Sequence, residues 1–413
     1  MMSVAVPPAS SRQQPAIVTA VAGAAAAADE MVVPLARIIS PAEFEREREQ
    51  IFVKSWLPAG HVRDVPAPGD FIVREFHVPR ASALIVHGRD GVIRAFHNIC
   101  RHRGNRLAPA GAQGTGRGFA CSFHGWSWDT TGALRGVTDA GQFPCLDKDS
   151  LGLLPIHCET WNGLVFLNFD KRPREPLYAW MDELADGYED YFELQHKLSS
   201  HSFEIEANWN LGVNAFTEGY HTLYIHRNTA GDYQGGAANP QRHRPFMQFM
   251  KRHTRYSAPA NPGHVLAPAE ELAWRYGRRL LPAACFQNET LPPAVNPSRA
   301  EHWLFDVIEV FPNMVMLLGQ NYRIELTFQP VTASRTIVTN ETFVYEPRNL
   351  AERASQELFR QREREVVRED LSLLEAQQEA LSTGAMENVV LSRQEMALAH
   401  HFRVRKAMLE AGT

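Results

Sequence analysis

Residues 100–106 read CRHRGNR and residues 121–129 read CSFHGWSWD, so Cys100-x-His102 is followed, after 18 intervening residues, by Cys121-x-x-His124. Two thiols and two imidazoles at such short spacing point to a metal, and on ligand type alone a tetrahedral zinc is served as well as an iron–sulfur cluster. The order of the residues separates the two readings. Each loop offers one Cys and one His, the division required when two thiolates hold one iron and two imidazoles hold the other in a [2Fe-2S] centre. Trp126 and Trp128, in the second loop, read equally well as core aromatics.

Outward from these loops the sequence is β-rich. Residues 71–76, 83–87 and 92–96 are short apolar or alternating runs, the last two joined by Gly88-Arg89-Asp90-Gly91, which predicts a hairpin. The glycines of 111–118 lack the G-x-G-x-x-G spacing of a dinucleotide site and read as a turn-rich spacer, and 163–168 (GLVFLN) closes a small antiparallel domain. Upstream, 39–56 predicts an entry helix, with Ser40 as N-cap, Pro41 at the first helical position and Glu43 completing a capping box. The alanine-rich start lacks the basic cluster of a signal peptide, so residues 1–33 are expected to be a flexible or partly helical tail.

Downstream the pattern changes. A helical stretch at 177–192 and a strand-like 202–208 lead into NWNLGVNAFTEGYHTLYIH (208–226), followed by a Gly/Pro/His/Arg-rich stretch, 228–299, that reads as an irregular lid. Four β-type runs at 303–311, 314–318, 322–329 and 336–345 predict an antiparallel sheet, and long charged helices are expected over 349–381 and 392–409. Within 208–226, Glu218 and His221 are three apart and share a helix face, whereas His226, five beyond His221, requires the helix to end or distort near Tyr224. Two imidazoles with one further carboxylate would form a facial triad for iron(II). The carboxylate candidates on the long helix are Glu365, Glu369, Asp370 and Glu375, which periodicity does not separate from a solvated, salt-bridged face.

Composition bounds the rest. With 413 residues, 44% of them apolar, the chain suits two or three folded domains, and 42 basic against 47 acidic residues leave no electrostatic footprint for nucleic acid. Five cysteines are too few and odd in number for a disulfide framework, which favours a reducing, cytoplasmic setting, and no apolar run suggests a membrane span.

From about residue 34 to the C-terminus, the chain resembles the catalytic α subunits of Rieske non-haem iron oxygenases, through CRHRGNR, CSFHGWSWD and the E/D-x-Y-H-x4-H pattern at Glu218, Tyr220, His221 and His226. The resemblance implies an α+β fold in which an antiparallel Rieske domain (34–172) precedes a helix-grip catalytic domain (173–413). It implies one Rieske [2Fe-2S] cluster on Cys100, His102, Cys121 and His124, and one mononuclear Fe2+ on His221, His226 and Asp370, the last from the family's E-D-x4-E pattern at 369–375. Glu218 stands where the family usually has an aspartate bridging the two metals across a subunit boundary, and Asn214 where many members place an asparagine near the iron. A separate NAD(P)H-dependent reductase, with or without a ferredoxin, is implied because no flavin or nicotinamide fingerprint is visible. So is assembly as a homotrimer, with or without a small β subunit. The implied reaction uses O2 to hydroxylate an aromatic or similarly apolar small molecule. Oxidative N- or O-demethylation, quaternary-amine monooxygenation and, outside catalysis, electron transfer or zinc binding are the alternatives. Phe216, Leu223, Tyr224, Phe246, Val310 and Phe328 are candidates to line an apolar cavity.

Overall fold

The computed structural model describes residues 20–22, 28–234, 239, 242, 244–277 and 291–411. The hairpin signal at 88–91 is realised: Ala81–His87 and Ile93–His97 pair antiparallel, with Gly91 at φ +82° closing the turn. They lie in a seven-stranded sheet ordered Leu57–His61, Leu164–Asn168, Pro155–Trp161, Ile93–His97, Ala81–His87, Asp70–Phe76 and Gln113–Thr115. Alternation along these strands divides two cores. Val73, Leu84, Val86 and Phe96 face a small cluster that includes Cys100, Cys121, Trp126 and Trp128, whereas Ile72, Ala83, Ile85 and Ala95 face the main core. A three-stranded sheet, Gly118–Ala120, Ser127–Asp129 and Leu134–Gly136, carries the second Cys/His loop.

The C-terminal part is built on an eight-stranded sheet ordered Ala20–Ala22, Phe246–Phe249, Thr254–Pro259, Trp303–Val310, Met314–Leu318, Tyr322–Thr332, Arg335–Tyr345 and Gln195–Ile205, antiparallel except at the Ala20–Ala22 edge. Across one face runs the helix Leu350–Ser382, about 50 Å long at 1.5 Å per residue, whose N-cap Asn349 accepts a hydrogen bond from the Glu352 N–H at 3.0 Å. The helix Trp209–Phe216 is wedged beside it against the sheet, and Gly212 makes that approach possible: a Cβ there would sit 2.5 Å from Phe328 Cδ1.

The entry helix begins as expected, Ser40 capping Pro41–Glu47, but then widens into a π-turn over Arg48–Phe52. Its last residue, Glu47, is buried and ties the molecule together. It accepts from Trp209 Nε1 at 2.9 Å, from Asn210 Nδ2 at 3.3 Å and from Arg405 Nε of the C-terminal helix Met396–Glu410. His401, on the same helix, bridges Glu309 and Asn210.

Several expectations are corrected. The stretch 177–192 is helical only over Leu177–Met181 and a short 3-10 turn, Asp182–Leu184. The stretch 228–299 is not an irregular lid throughout, because it supplies two strands of the main sheet and the helix Pro268–Tyr276; residues 235–238, 240–241, 243 and 278–290 of it lie outside the described residues. Its strand Thr254–Pro259 is buried at every position, with the Thr254 and Ser257 hydroxyls donating to Glu309 at 3.3 Å and Asp306 at 2.6 Å, so no apolar alternation marks it. In the expected tail, residues 1–19 and 23–27 lie outside the described residues, while Ala20–Ala22 borders the main sheet and Val32–Pro34 pairs with Asn388–Val390.

Two candidate metal centres

The two Cys/His loops are built alike. The Cys100 N–H donates to the Asn105 carbonyl at 2.7 Å and Gly104, at φ +78°, returns a hydrogen bond to the Cys100 carbonyl at 3.0 Å. In the second loop the Cys121 N–H donates to the Trp126 carbonyl at 2.8 Å, and Gly125, at φ +73°, donates to the Cys121 carbonyl at 2.9 Å. Each loop is thus a tight turn that points one sulfur inward and leaves one imidazole at the rim. Both thiols are buried, the His102 and His124 rings meet at 4.7 Å, and Trp126 stacks flat on His102 at 4.7 Å.

The donor set fits a two-iron cluster better than a single zinc. Nδ1 of His102 is buried without a hydrogen-bond partner. Among the described residues, His221, His226 and Asp370 form the group of three whose donor atoms all lie within 4.8 Å of one another, and the Cys/His set does not meet that condition. Four ligands on one zinc, with bonds of about 2.0–2.3 Å, would meet it. Burial pushes the Cys100 thiol up; at Cys121 burial is outweighed by hydrogen bonds from the Phe123 and His124 backbone, Cys100 and Asn105. The backbone N–H groups and the Asn105 amide remain donors when both sulfurs are thiolates, and such donors tune a cluster's potential. Cys158, pushed up to about 12 by burial, lies apart from this set, and Cys285 is outside the described residues.

The second centre forms where the helix Trp209–Phe216 breaks. The break comes at Thr217, seven residues earlier than Tyr224, so Glu218 and His221 meet across a turn and not along a helix face. Glu218 folds this turn by accepting from the Tyr220 and His221 N–H groups, and its other oxygen pairs with His221 Nδ1. His226 follows the short helix Thr222–Ile225, and its Nδ1 pairs with Glu369 at 2.9 Å. Both Nε2 atoms are thereby turned toward Asp370 Oδ1, at 3.5 Å from His221 and 3.1 Å from His226, and this buried oxygen has no hydrogen-bond partner. Burial works against protonating His221, but Glu218 and then Asp370 outweigh it and raise its pKa to about 9; at His226, Asp370 and Glu369 have the same effect. An anionic cradle that holds protons this firmly fits a cation in their place.

Of the four carboxylate candidates, Asp370 faces the imidazoles and Glu369 backs one of them. Glu365 pairs with Arg364 and Arg368 on the exposed face, and Glu375 accepts from the Glu206 N–H at 3.1 Å. The role of Glu369 is what sequence reasoning missed, although it stands in the same E-D pair as Asp370. Asn214 lies on the broken helix with its Oδ1 buried and unpartnered. Beside it, Ala215 and Phe216 line a cavity of about 140 Å³ that reaches His221, His226 and Asp370 and is walled by Tyr256, Leu304, Phe305, Val307, Leu326 and Phe359. Of the six apolar residues expected here only Phe216 lines it; Tyr224 is 73% exposed, and Val310 and Phe328 belong to the sheet core.

A family model described as Ring hydroxylating alpha subunit (catalytic domain) matches residues 181–411, and one described as Rieske [2Fe-2S] domain matches residues 55–147. The chain belongs to the ring-hydroxylating α-subunit family. This chain is 35% identical over 186 residues to the chlorobenzene dioxygenase subunit alpha of Cupriavidus sp. strain PS12, covering 43% of this chain and 40% of that protein. It is 30% identical over 198 residues to the carnitine monooxygenase oxygenase subunit of Acinetobacter pittii, covering 46% and 51%. The matched stretch therefore spans about half or less of these curated relatives. In fold, the chain superimposes on a quaternary ammonium Rieske monooxygenase with a TM-score of 0.70 at 21% identity, covering 92% of this chain and 94% of that one. Naphthalene 1,2-dioxygenase with indole bound gives the same TM-score at 20% identity, covering 91% of each. Among the described residues, no helix is long and apolar enough to cross a membrane.

Proposed function

We propose that this α subunit is the oxygenase component of a Rieske system. It would take electrons one at a time from a separate NAD(P)H-dependent reductase, directly or through a ferredoxin, and hydroxylate a small aromatic or similarly apolar molecule with O2. The observation that carries this reading is the pairing of a split Cys/His set with a second, carboxylate-backed His/His/Asp set at the mouth of an apolar cavity. The division near residue 172 is supported by the two family matches falling on either side of it.

In this reading Cys100, His102, Cys121 and His124 hold the cluster, and His221, His226 and Asp370 hold the iron. Iron so held supplies the reduction of O2 and insertion of its oxygen into a C–H or ring position. The chain's own contribution is positional. Glu218 and Glu369 fix the tautomer and orientation of the two imidazoles by accepting hydrogen bonds from their Nδ1–H groups. The apolar walls keep water from the reacting face and favour a ring-shaped occupant; a cavity near 150 Å³ is known to hold benzene. At the cluster end the imidazoles reach the surface beside Phe123, 58% exposed, with the Arg103 guanidinium 5.4 Å from the Phe123 ring. A redox partner or a neighbouring copy can approach there; in a homotrimer Glu218 would be the link between one copy's cluster and the next copy's iron. The similarity to a carnitine monooxygenase favours a second reading, oxidation of a quaternary amine by the same two centres.

The test is oxygen uptake with NADH and a surrogate reductase. Uptake that depends on an added alkylbenzene or quaternary amine, with a hydroxylated or demethylated product, and that disappears in His226→Ala is expected. Equal uptake with and without every candidate substrate would contradict the proposal.

A further inference from the structure

The long helix presents Phe359, Arg362, Glu363, Val366, Val367 and Asp370 to the cavity, a stripe spaced by threes and ones. Glu363 lies seven residues before Asp370, two helical turns, or roughly 10 Å along the axis, so it stands at the end of the cavity remote from the three metal-facing side chains. It is buried, at 6% exposure. Its Oε1 accepts from Asn340 Nδ2 at 2.5 Å, while Oε2 has no hydrogen-bond partner.

Its surroundings are short of donors. Asn340 and Thr342 pair across the strands with Leu326 and Ile324, which line the cavity, so all four share the cavity face of the sheet. Asn340 Oδ1 and Thr342 Oγ1 are also buried and unpartnered. A rotation of the Thr342 hydroxyl satisfies one lone pair and leaves the others. The cavity's cation, Arg362, is already engaged: it pairs with Glu270 at 2.7 Å, donates to the Thr229 carbonyl and lies 5.3 Å from the centre of the Tyr233 ring, with Nε alone unpartnered. Buried acceptors left without donors are costly, commonly 1–3 kcal/mol each, so such a cluster is built for something that donates to it. Burial raises the Glu363 carboxyl to about 7, against the pull of Asn340 and Thr342.

Building on the oxygenase reading of this cavity, we propose that Glu363 is a specificity-determining residue. The substrate carries a hydrogen-bond donor, an ammonium or a hydroxyl, at the end remote from the oxidised carbon, and Glu363 Oε2 receives it with Asn340 and Thr342 alongside. The cavity's apolar walls hold the body of the molecule, and the donor sets which end faces the iron ligands.

The test uses three probes of one shape, 2-phenylethylamine, 2-phenylethanol and propylbenzene, titrated calorimetrically into the iron-loaded full-length protein. In parallel, the paramagnetic signal of the nitric-oxide-treated iron is recorded with each. Wild type should bind at least one donor-bearing probe about tenfold or more tighter than propylbenzene, the worth of one buried donor–acceptor pair. Glu363→Gln should erase an ammonium preference while leaving propylbenzene within about twofold. Thr342→Val should reduce the preference in the same direction, and it serves as the independent variant should the glutamine protein fail to fold. A preference for the amine identifies a cationic substrate, and a preference for the alcohol alone a neutral donor. Probes that perturb the iron signal but bind alike, or a preference untouched by Glu363→Gln and Thr342→Val, overturn the role of Glu363 and leave the cavity reading standing. Failure of every probe to bind or to perturb the iron signal overturns both.

Discussion

Each imidazole facing the second centre is held from behind by a glutamate, Glu218 behind His221 and Glu369 behind His226, and the two are not equivalent. Glu369 also receives the Thr229 hydroxyl at 2.5 Å, whereas Glu218 spends its second oxygen on the turn that positions His221. Glu369→Gln should therefore weaken iron binding by about 10- to 100-fold, the usual cost of losing a carboxylate behind a ligand imidazole, measured by competition with a chelator. Glu218→Gln should by the same argument weaken iron binding and, once the iron is restored, still slow electron transfer between the two centres in a single-turnover experiment. Asp370→Ala should keep the cluster and its colour but lose the mononuclear iron, read as a drop from about three to about two irons per chain. Full iron retention in that variant would remove Asp370 from the ligand set. At this scale the cluster loops were the most legible part of the sequence, because Cys and His at short spacing have few other uses. Glu369 was hidden because acidic residues on a charged helix look alike until the helix is placed against the turn bearing His226.

At the scale of elements, the four strands between residues 303 and 345 lie within a few residues of where alternation and proline punctuation put them. Thr254–Pro259 was invisible because Thr254, Arg255 and Ser257 are buried polar residues paired inside the sheet. The helix break at Thr217 was expected in kind but not in place: the stretch through Glu218 stays compatible with helix, and what ends it is the Glu218 side chain competing for backbone N–H groups. The same helix depends on Gly212 for its approach to the sheet. Gly212→Val should destabilise the protein by about 1–3 kcal/mol, because Phe328 is buried and cannot yield, and thermal unfolding would show it. An unchanged midpoint would mean that the helix does not bear on Phe328 in solution.

Across the whole molecule, the entry helix, the broken helix and the C-terminal helix converge on Glu47. Its partner Arg405 is as deeply buried, so Glu47→Ala leaves the guanidinium only the more distant Glu43, at 3.7 Å, and should cost about 3 kcal/mol, measured by denaturant unfolding. A loss below about 1 kcal/mol would mean that solvent reaches this network. The two centres occupy separate parts of the fold, one in the small β cluster around Cys100 and Cys121, the other between the long helix and the main sheet. The central claim is that one chain carries both a two-iron cluster and a mononuclear iron, and the most direct measurement is iron and acid-labile sulfide content of anaerobically purified protein, with electron paramagnetic resonance after dithionite reduction. The account predicts about three irons and two sulfides per chain and a reduced signal of Rieske type. Zinc in place of iron, with no sulfide, would contradict it.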